Sequence, residues 1–181
     1  MIKYKKKDII EFLQHSNYIE REYGEQAFTD AFKAWEYGVR NIKKGITNKF
    51  ILEIHRILCE KIHPEIAGKF RTCDVFIGGE RKIFVSSKIL SDMVKELCKK
   101  AKPVMTEKEI KDWHIGYEGL HPFADGNGRS GRLLMNLQRL ISGLPILIVH
   151  EDYDQYEYYG WFNDTIKNPY KECNYCDIFY R

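Results

Sequence analysis

The sequence predicts a mainly α fold, a helical bundle carrying one short β-hairpin. Apolar residues recur at three- and four-residue steps through most of the 181 positions. Ser and Thr caps, with Gly and Pro stops, divide that pattern into helix-sized pieces. One good pair of β-prone runs stands apart from it, Val75-Phe76-Ile77 and Ile83-Phe84-Val85, on either side of Gly78-Gly79. The length suits one domain with a sizeable core, and no repeat, low-complexity tract or interdomain linker divides it.

The elements follow in order. Residues 8–15 read as a helix capped by Asp8, with Ile9, Phe12 and Leu13 on one face. Ser16 is a candidate new N-cap, and Gly24 loosens the pattern. Residues 26–42 form a stronger helix with Phe28, Phe32, Trp35 and Val39 as its stripe. Thr47 caps a helix to about Ile62, carrying Phe50, Ile51, Ile54, Ile57 and Leu58, and His63-Pro64 ends it. The hairpin runs come next. Ser86 or Ser87 then caps a helix to about Lys100. Thr106 with Glu109 makes a capping box for a helix to about Leu120 that buries Ile110, Trp113 and Tyr117. Pro122 and Gly126 bracket a loop, and Asn127 opens a helix bearing Leu133, Leu134, Leu137, Leu140 and Ile141. Gly143 and Pro145 stop it, and periodicity leaves the type of Ile146–Val149 open. Asp152 caps a last helix expected to reach about Lys167.

Bulk properties exclude several function classes. Lys+Arg exceeds Asp+Glu by 29 to 26, a net of +3. That is too mild for a nucleic-acid partner, and the Lys3, Lys5, Lys6, Lys7 cluster reads as a solvated tail. No apolar run approaches the ~18 residues of a membrane span, so no membrane association is expected. No signal-peptide pattern stands at the N-terminus, and the cytoplasm is the expected location. Five cysteines, an odd count, fit reduced thiols, and the lone Cys173-x-x-Cys176 lacks a second metal-binding pair.

Chemistry concentrates in His121-Pro122-Phe123-Ala124-Asp125-Gly126-Asn127-Gly128-Arg129-Ser130-Gly131-Arg132. Gly126-x-Gly128-x-x-Gly131 formally matches a dinucleotide-binding fingerprint, with Glu151 and Asp152 about 20 residues on. That fingerprint needs a buried strand running into the first glycine, and Pro122 and Asp125 make a poor one. A Walker loop fails because Arg132 and Leu133 stand where Lys and Ser/Thr are required. What remains is a glycine-rich turn opening a helix, whose free N–H groups and dipole favour an anion. Arg129 and Arg132, three apart, share a face and can grip successive phosphates. Asp125 would be repelled by bare phosphate unless a divalent cation, Mg²⁺ by preference, lies between them. His121 is a candidate base with a near-neutral reference pKa.

These residues resemble the Fic-family motif HxFx(D/E)GNGRxxR at every fixed position. Gly68-Lys69-Phe70-Arg71 leading to Val75-Phe76-Ile77-Gly78-Gly79 is similar to the family segment before its hairpin flap. The resemblance implies a single Fic-type domain over 1–181: an N-terminal segment 1–25 with an inhibitory helix, a core 26–168, and a C-terminal segment 169–181. It implies a protein adenylyltransferase, a nucleotidyltransferase moving AMP from ATP to a Tyr, Thr or Ser hydroxyl of a target protein, with diphosphate leaving. His121 would be the base and Asp125 the Mg²⁺ ligand. Gly126, Asn127 and Gly128 would form the anion hole, with Arg129 and Arg132 on the terminal phosphates. Phe123 would anchor the loop. Glu80, Arg81, Lys82, Ile83, Phe84 and Val85 would form the target-docking flap. Tyr153, Tyr156, Tyr159 and Asn163 are weaker candidates for an adenine pocket. Doc-like kinases of the superfamily carry lysine where Gly128 stands, and its absence favours adenylylation. The nucleotide base, UTP against ATP, is left open, as is a homo-oligomer.

Ser16-x-x-x-Glu20 resembles the family's inhibitory motif (S/T)xxxE(G/N), whose glutamate pairs with the second motif arginine, here Arg132. Arg21 departs from it, standing where Gly or Asn is preferred. Two alternatives stay open: a nucleotide-binding regulatory or toxin–antitoxin module, and a de-AMPylase of the same fold.

Overall fold

The computed structural model describes residues 5–73, 76–77, 81–82 and 86–162. Seven α-helices lie within them: α1 (Lys6–Ile19), α2 (Glu25–Asn41), α3 (Asn48–Cys59), α4 (Ser87–Lys99), α5 (Glu107–Leu120), α6 (Asn127–Ile141) and α7 (Tyr153–Tyr159). A 3₁₀ turn, Ile42–Lys44, extends α2. Two short strands, β1 (Phe76–Ile77) and β2 (Arg81–Lys82), pair antiparallel, Phe76 opposite Lys82 and Ile77 opposite Arg81. β2 thus precedes the expected run at residues 83–85, which lies outside the described residues, as do Gly78, Gly79 and Glu80.

Local chemistry sets most boundaries. The Thr47 hydroxyl accepts from the Phe50 N–H at 3.2 Å and starts α3. Ser86 caps α4, and the Thr106–Glu109 capping box opens α5. Three expectations are corrected. Lys5 is the N-cap of α1, and Asp8 sits in its first turn. Ser16 starts no new helix, because α1 runs unbroken through it to Ile19. Of the expected α2 stripe Trp35 alone is fully buried, and the other buried positions of the helix are Ala27, Asp30, Ala31, Ala34 and Gly38. Small side chains there let helices approach closely, while Phe28, Phe32 and Val39 are only partly buried at the edge.

α6 is the axis of the bundle. It contacts α1, α2, α3, α5 and the 3₁₀ turn, and 13 of its 15 residues are buried. A helix buried all round is expected to be apolar, yet this one carries Arg129, Arg132, Asn136 and Arg139 inward. Such groups are mostly bonded, although the buried Gln138 amide of the same helix has no hydrogen-bond partner among the described residues. Asn136 donates to the Leu147 carbonyl at 3.0 Å and accepts from the Leu147 N–H at 2.8 Å. This holds residues 146–149 as an irregular chain against α6, neither helix nor strand. Arg139 bonds the Pro145 carbonyl and Glu107. The N-terminal pair, Arg129 and Arg132, have acidic partners. Among the described residues no helix is long and apolar enough to cross a membrane.

Candidate active site

The loop between α5 and α6 is built from its anchors. His121 ends α5 in the left-handed region, φ 46 and ψ 65, a conformation His tolerates better than most residues. Arg71, 3% exposed, clamps this turn: its Nε donates to the His121 carbonyl at 2.8 Å, and its backbone N–H to that of Pro122 at 3.0 Å. Phe123 is fully buried and stacks on His55, ring centroids 3.6 Å apart and 8° from parallel. The Gly68 N–H donates to His55 Nδ1 at 3.0 Å, so Nε2 carries the hydrogen and donates to the Asp125 carbonyl at 2.9 Å. Burial holds His55 neutral, its pKa lowered to about 4. Gly126 then turns the chain with φ +75, where a Cβ would lie 2.9 Å from Cys59 Sγ.

Asn127 closes the loop. Its Oδ1 accepts from the Phe123 N–H at 2.8 Å and its Nδ2 donates to the Phe123 carbonyl at 2.9 Å. The side chain is committed there, so the group Asn127 can offer an anion is its backbone N–H. The N–H groups of Asn127, Gly128 and Arg129, in the first turn of α6, have no acceptor within the helix. Ser130 Oγ donates to the Gly126 carbonyl at 2.8 Å and lies 2.8 Å from the Tyr117 hydroxyl, fixing the turn from behind.

Both motif arginines are buried against acidic partners. Arg132 donates from Nε to Ser16 Oγ at 3.0 Å, and from Nη2 to the Ser16 carbonyl and to Glu20 Oε1, each at 2.8 Å. Its guanidinium lies over the Tyr158 ring, 5.7 Å from the centroid. Arg129 lies between Glu22 Oε1 at 3.6 Å and Asp125 Oδ2 at 3.5 Å. Glu20 also lies directly over Gly128, where any Cβ would collide with Oε1. The carboxylate therefore rests against the N-terminal turn of α6, where the helix favours an anion.

His121 and Asp125 flank this turn. Burial lowers the His121 pKa below its ordinary value; the Glu118 backbone opposes this and the nearby Arg71 charge adds to it. The imidazole is thus neutral near pH 7, the form that accepts a proton. The Asp125 carboxylate is 55% exposed, with His63 Nε2 at 3.7 Å. One open carboxylate suits Mg²⁺, which retains waters and takes its remaining oxygens from phosphates.

Sequence reasoning missed several neighbours. Glu22 follows the inhibitory-type motif by two residues, and no spacing rule marks it. Glu118 is buried in a cluster with Arg132 and His114, and burial raises its pKa to about 8. Tyr158 is the buried tyrosine of α7, its hydroxyl 2.8 Å from His114 Nε2. Of the adenine-pocket candidates, Tyr153, Tyr156 and Tyr159 are half-buried on α7, Tyr159 Oη accepting from Gln155 at 3.1 Å. Asn163 lies outside the described residues, as do Cys173 and Cys176. α7 ends at Tyr159, short of the expected Lys167, and residues 163–167 lie outside the described range. For the expected flap, the backbone is described at Arg81 and Lys82 only.

A protein adenylyltransferase Fic from Nematostella vectensis is 32% identical over 125 residues, 67% of this chain and 29% of that one. A protein adenylyltransferase fic-1 from Caenorhabditis briggsae is 37% identical over 113 residues, 61% of this chain and 22% of that one. The chain thus spans less than a third of the length of these relatives. In fold it is similar to a Fic-domain-containing signalling protein from Bacteroides thetaiotaomicron, with TM-score 0.73 at 19% identity, covering 86% of this chain and 70% of that one. It is similar also to Fic-1 from Caenorhabditis elegans, with TM-score 0.66 at 20% identity, covering 87% and 56%. The Fic/DOC family model matches residues 45–138, from before α3 into α6, with the whole His121–Arg132 loop inside it. That match takes in over half of the chain and its most specific stretch, and on it the chain belongs to the Fic/DOC family.

Proposed function

We propose that this chain is a protein adenylyltransferase held back by its own α1. The observation that carries the reading is a neutral, partly buried His121 beside a helix N-terminus that bears two buried arginines. ATP would bind with its phosphates on the first-turn N–H groups of α6, and with its terminal phosphates on Arg129 and Arg132. His121 would take the proton from a Tyr, Thr or Ser hydroxyl of a target protein. The freed oxygen attacks the α-phosphorus, and an O–P bond forms. The bond from that phosphorus to the β-phosphate bridge breaks, and its electron pair leaves with diphosphate. Asp125 would hold Mg²⁺, which would neutralise charge on the phosphates. The remaining catalysis is positioning and charge stabilisation, which suits a loop fixed by His55, Arg71, Asn127 and Ser130.

The Glu20 contact supports restraint. A carboxylate on Arg132 competes for the guanidinium that a terminal phosphate needs, in a geometry already satisfied by Ser16. The family-model match begins after α2, so this part of the reading rests on contacts rather than on the match. The antiparallel pair at residues 76–77 and 81–82 supports a target segment adding as a strand, with main-chain bonds setting its position.

Two labels test the chemistry. Incubation of a Glu20→Gly variant with target-containing lysate is expected to leave the label of α-labelled ATP on protein, and that of γ-labelled ATP in diphosphate. Protein labelled from the γ position alone would mean phosphate transfer. ATP binding without either transfer would favour a regulatory module. Release of AMP from a modified target by the wild-type chain would favour de-AMPylation.

A further inference from the structure

We propose that Glu11, His15 and His150 form a divalent transition-metal site, best suited to Zn²⁺, that staples α1 to the segment between α6 and α7. The three side chains offer ligand atoms that all lie within 4.8 Å of one another. Glu11 and His15 are four apart on α1, so one turn of helix presents both to the same side. His150 meets them from 139 residues away in sequence, its Nε2 3.2 Å from Glu11 Oε1 and its ring 4.6 Å from that of His15.

The chemistry of the set is that of a borderline metal. Two imidazoles and a carboxylate are ligands of Zn²⁺ and its neighbours rather than of Mg²⁺ or Ca²⁺. A tetrahedral Zn²⁺ with bonds of about 2.0–2.1 Å places its ligand atoms about 3.3 Å apart. The Glu11–His150 pair already stands at that spacing. His15 closes the remainder by a small side-chain turn, and its Nδ1 is buried with no hydrogen-bond partner. Asp154 supplies the outer contact. Its Oδ2 bonds His150 Nδ1, which fixes the ring and leaves Nε2 facing Glu11 and His15. A carboxylate behind a histidine ligand is the arrangement that orients such ligands and raises their basicity. The Glu11 and His150 side chains are about a third exposed or more, so an ion can enter from solvent.

An ion here would pin His15, the residue before Ser16, whose hydroxyl and carbonyl hold Arg132. That consequence rests on the autoinhibitory reading above. The site itself does not, and its test reads metal uptake rather than transfer.

The test is equilibrium binding of Zn²⁺, with Co²⁺ absorption as a geometric reporter, in a Cys173→Ser/Cys176→Ser background. One Zn²⁺ per chain is expected, with a tetrahedral Co²⁺ spectrum. Glu11→Gln is expected to weaken binding at least tenfold, Asp154→Asn about tenfold, and His15→Ala/His150→Ala to abolish it. Asp125→Ala is expected to leave it unchanged, which separates this site from the phosphate loop. Circular dichroism and metal-free melting temperature establish that each variant is folded, and Glu11→Gln, at a partly exposed position, serves should the double variant unfold. Absence of uptake by the parent overturns the proposal. So does uptake that persists in a folded His15→Ala/His150→Ala variant, that keeps the parent affinity in Glu11→Gln, or that vanishes with Asp125→Ala.

Discussion

Glu20 and Arg132 are 112 positions apart in sequence, and their side chains meet at 2.8 Å over the first turn of the central helix. Arg132 is 2% exposed, so the carboxylate that meets it largely removes it from reach of an incoming phosphate. Glu22 stands 3.6 Å from Arg129 in the same way. The C-terminal end of α1 therefore lays one carboxylate against each motif arginine. The Glu22 contact is longer and lacks the hydroxyl that assists Glu20, so its weight is smaller. Glu22→Gln is expected to raise label transfer roughly two- to fivefold, about 0.5–1 kcal/mol, as for a weak ion pair. A rate assay against Glu20→Gly orders the two; an unchanged rate in Glu22→Gln removes Glu22 from the account.

Arg21 follows Glu20 with φ 61, in the left-handed region. A non-glycine residue there costs roughly 1–2 kcal/mol. A preference for Gly or Asn at this position thus has a backbone cause. Arg21→Gly is expected to firm the end of α1, raising the melting temperature by about 2–4 °C and lowering residual transfer. A lower melting temperature together with faster transfer would show that Arg21 itself helps hold the helix down.

Asn127 makes two hydrogen bonds to the Phe123 backbone, both buried. Removing the amide leaves a buried N–H and carbonyl unbonded, a loss of about 1–3 kcal/mol each. Asn127→Ala is expected to lower stability by roughly 2–4 kcal/mol in urea unfolding and to cut transfer strongly through a loosened loop. Retained stability with lost activity would instead mark a direct role on nucleotide.

Buried titratable groups are expected to place the stability optimum near pH 6.5. His55 and His114 are neutral when folded, with pKa values lowered from 6.5 to about 4 and about 3 by burial. Below pH 6.5 the unfolded chain binds those two protons and the folded chain does not, so stability falls as pH falls. Burial raises Glu118 from 4.5 to about 8. Between those values the folded chain holds a proton that the unfolded chain lacks, so Glu118 alone makes stability fall as pH rises. From pH 4.5 to 6.5 the histidines outweigh one glutamate, with His15 and His121, also lowered, adding to them; above 6.5 Glu118 acts together with His150, whose pKa is raised. Each uncompensated proton changes stability by about 1.4 kcal/mol per pH unit. Melting temperatures across pH 5–8 are expected to peak near 6.5, and Glu118→Gln is expected to flatten the alkaline fall and steepen the acid one. An alkaline fall unchanged in that variant would contradict the assignment.

The helices and their caps were legible because capping is local: Thr47, Ser86 and the Thr106–Glu109 box act within three residues. The His121–Arg132 loop was legible because its chemistry is contiguous. What escaped depends on contacts between distant segments. His55 carries no spacing signal in the sequence, yet it props both Phe123 and the Asp125 carbonyl from about 70 residues away. Ser16 read as a helix start because Ser favours caps, but its hydroxyl is taken up by Arg132, and α1 continues. The alanine face of α2 was hidden because Phe and Trp dominate a hydrophobic pattern, while close helix packing selects small residues. Tyr158 and Glu118 gave no signal, since burial of a polar side chain is settled only in the folded bundle.

The central claim is that α1 restrains a site whose base is His121. The direct measurement is the initial rate of α-label incorporation into protein at saturating ATP and Mg²⁺, for the wild type, Glu20→Gly and Glu20→Gly/His121→Ala. Losing a charge-assisted bond of about 1.5–3 kcal/mol is expected to raise the rate of Glu20→Gly roughly 10- to 100-fold over wild type, and the double variant is expected to show no transfer. Equal rates in wild type and Glu20→Gly would remove the restraint, and transfer surviving in the double variant would remove His121 as the base.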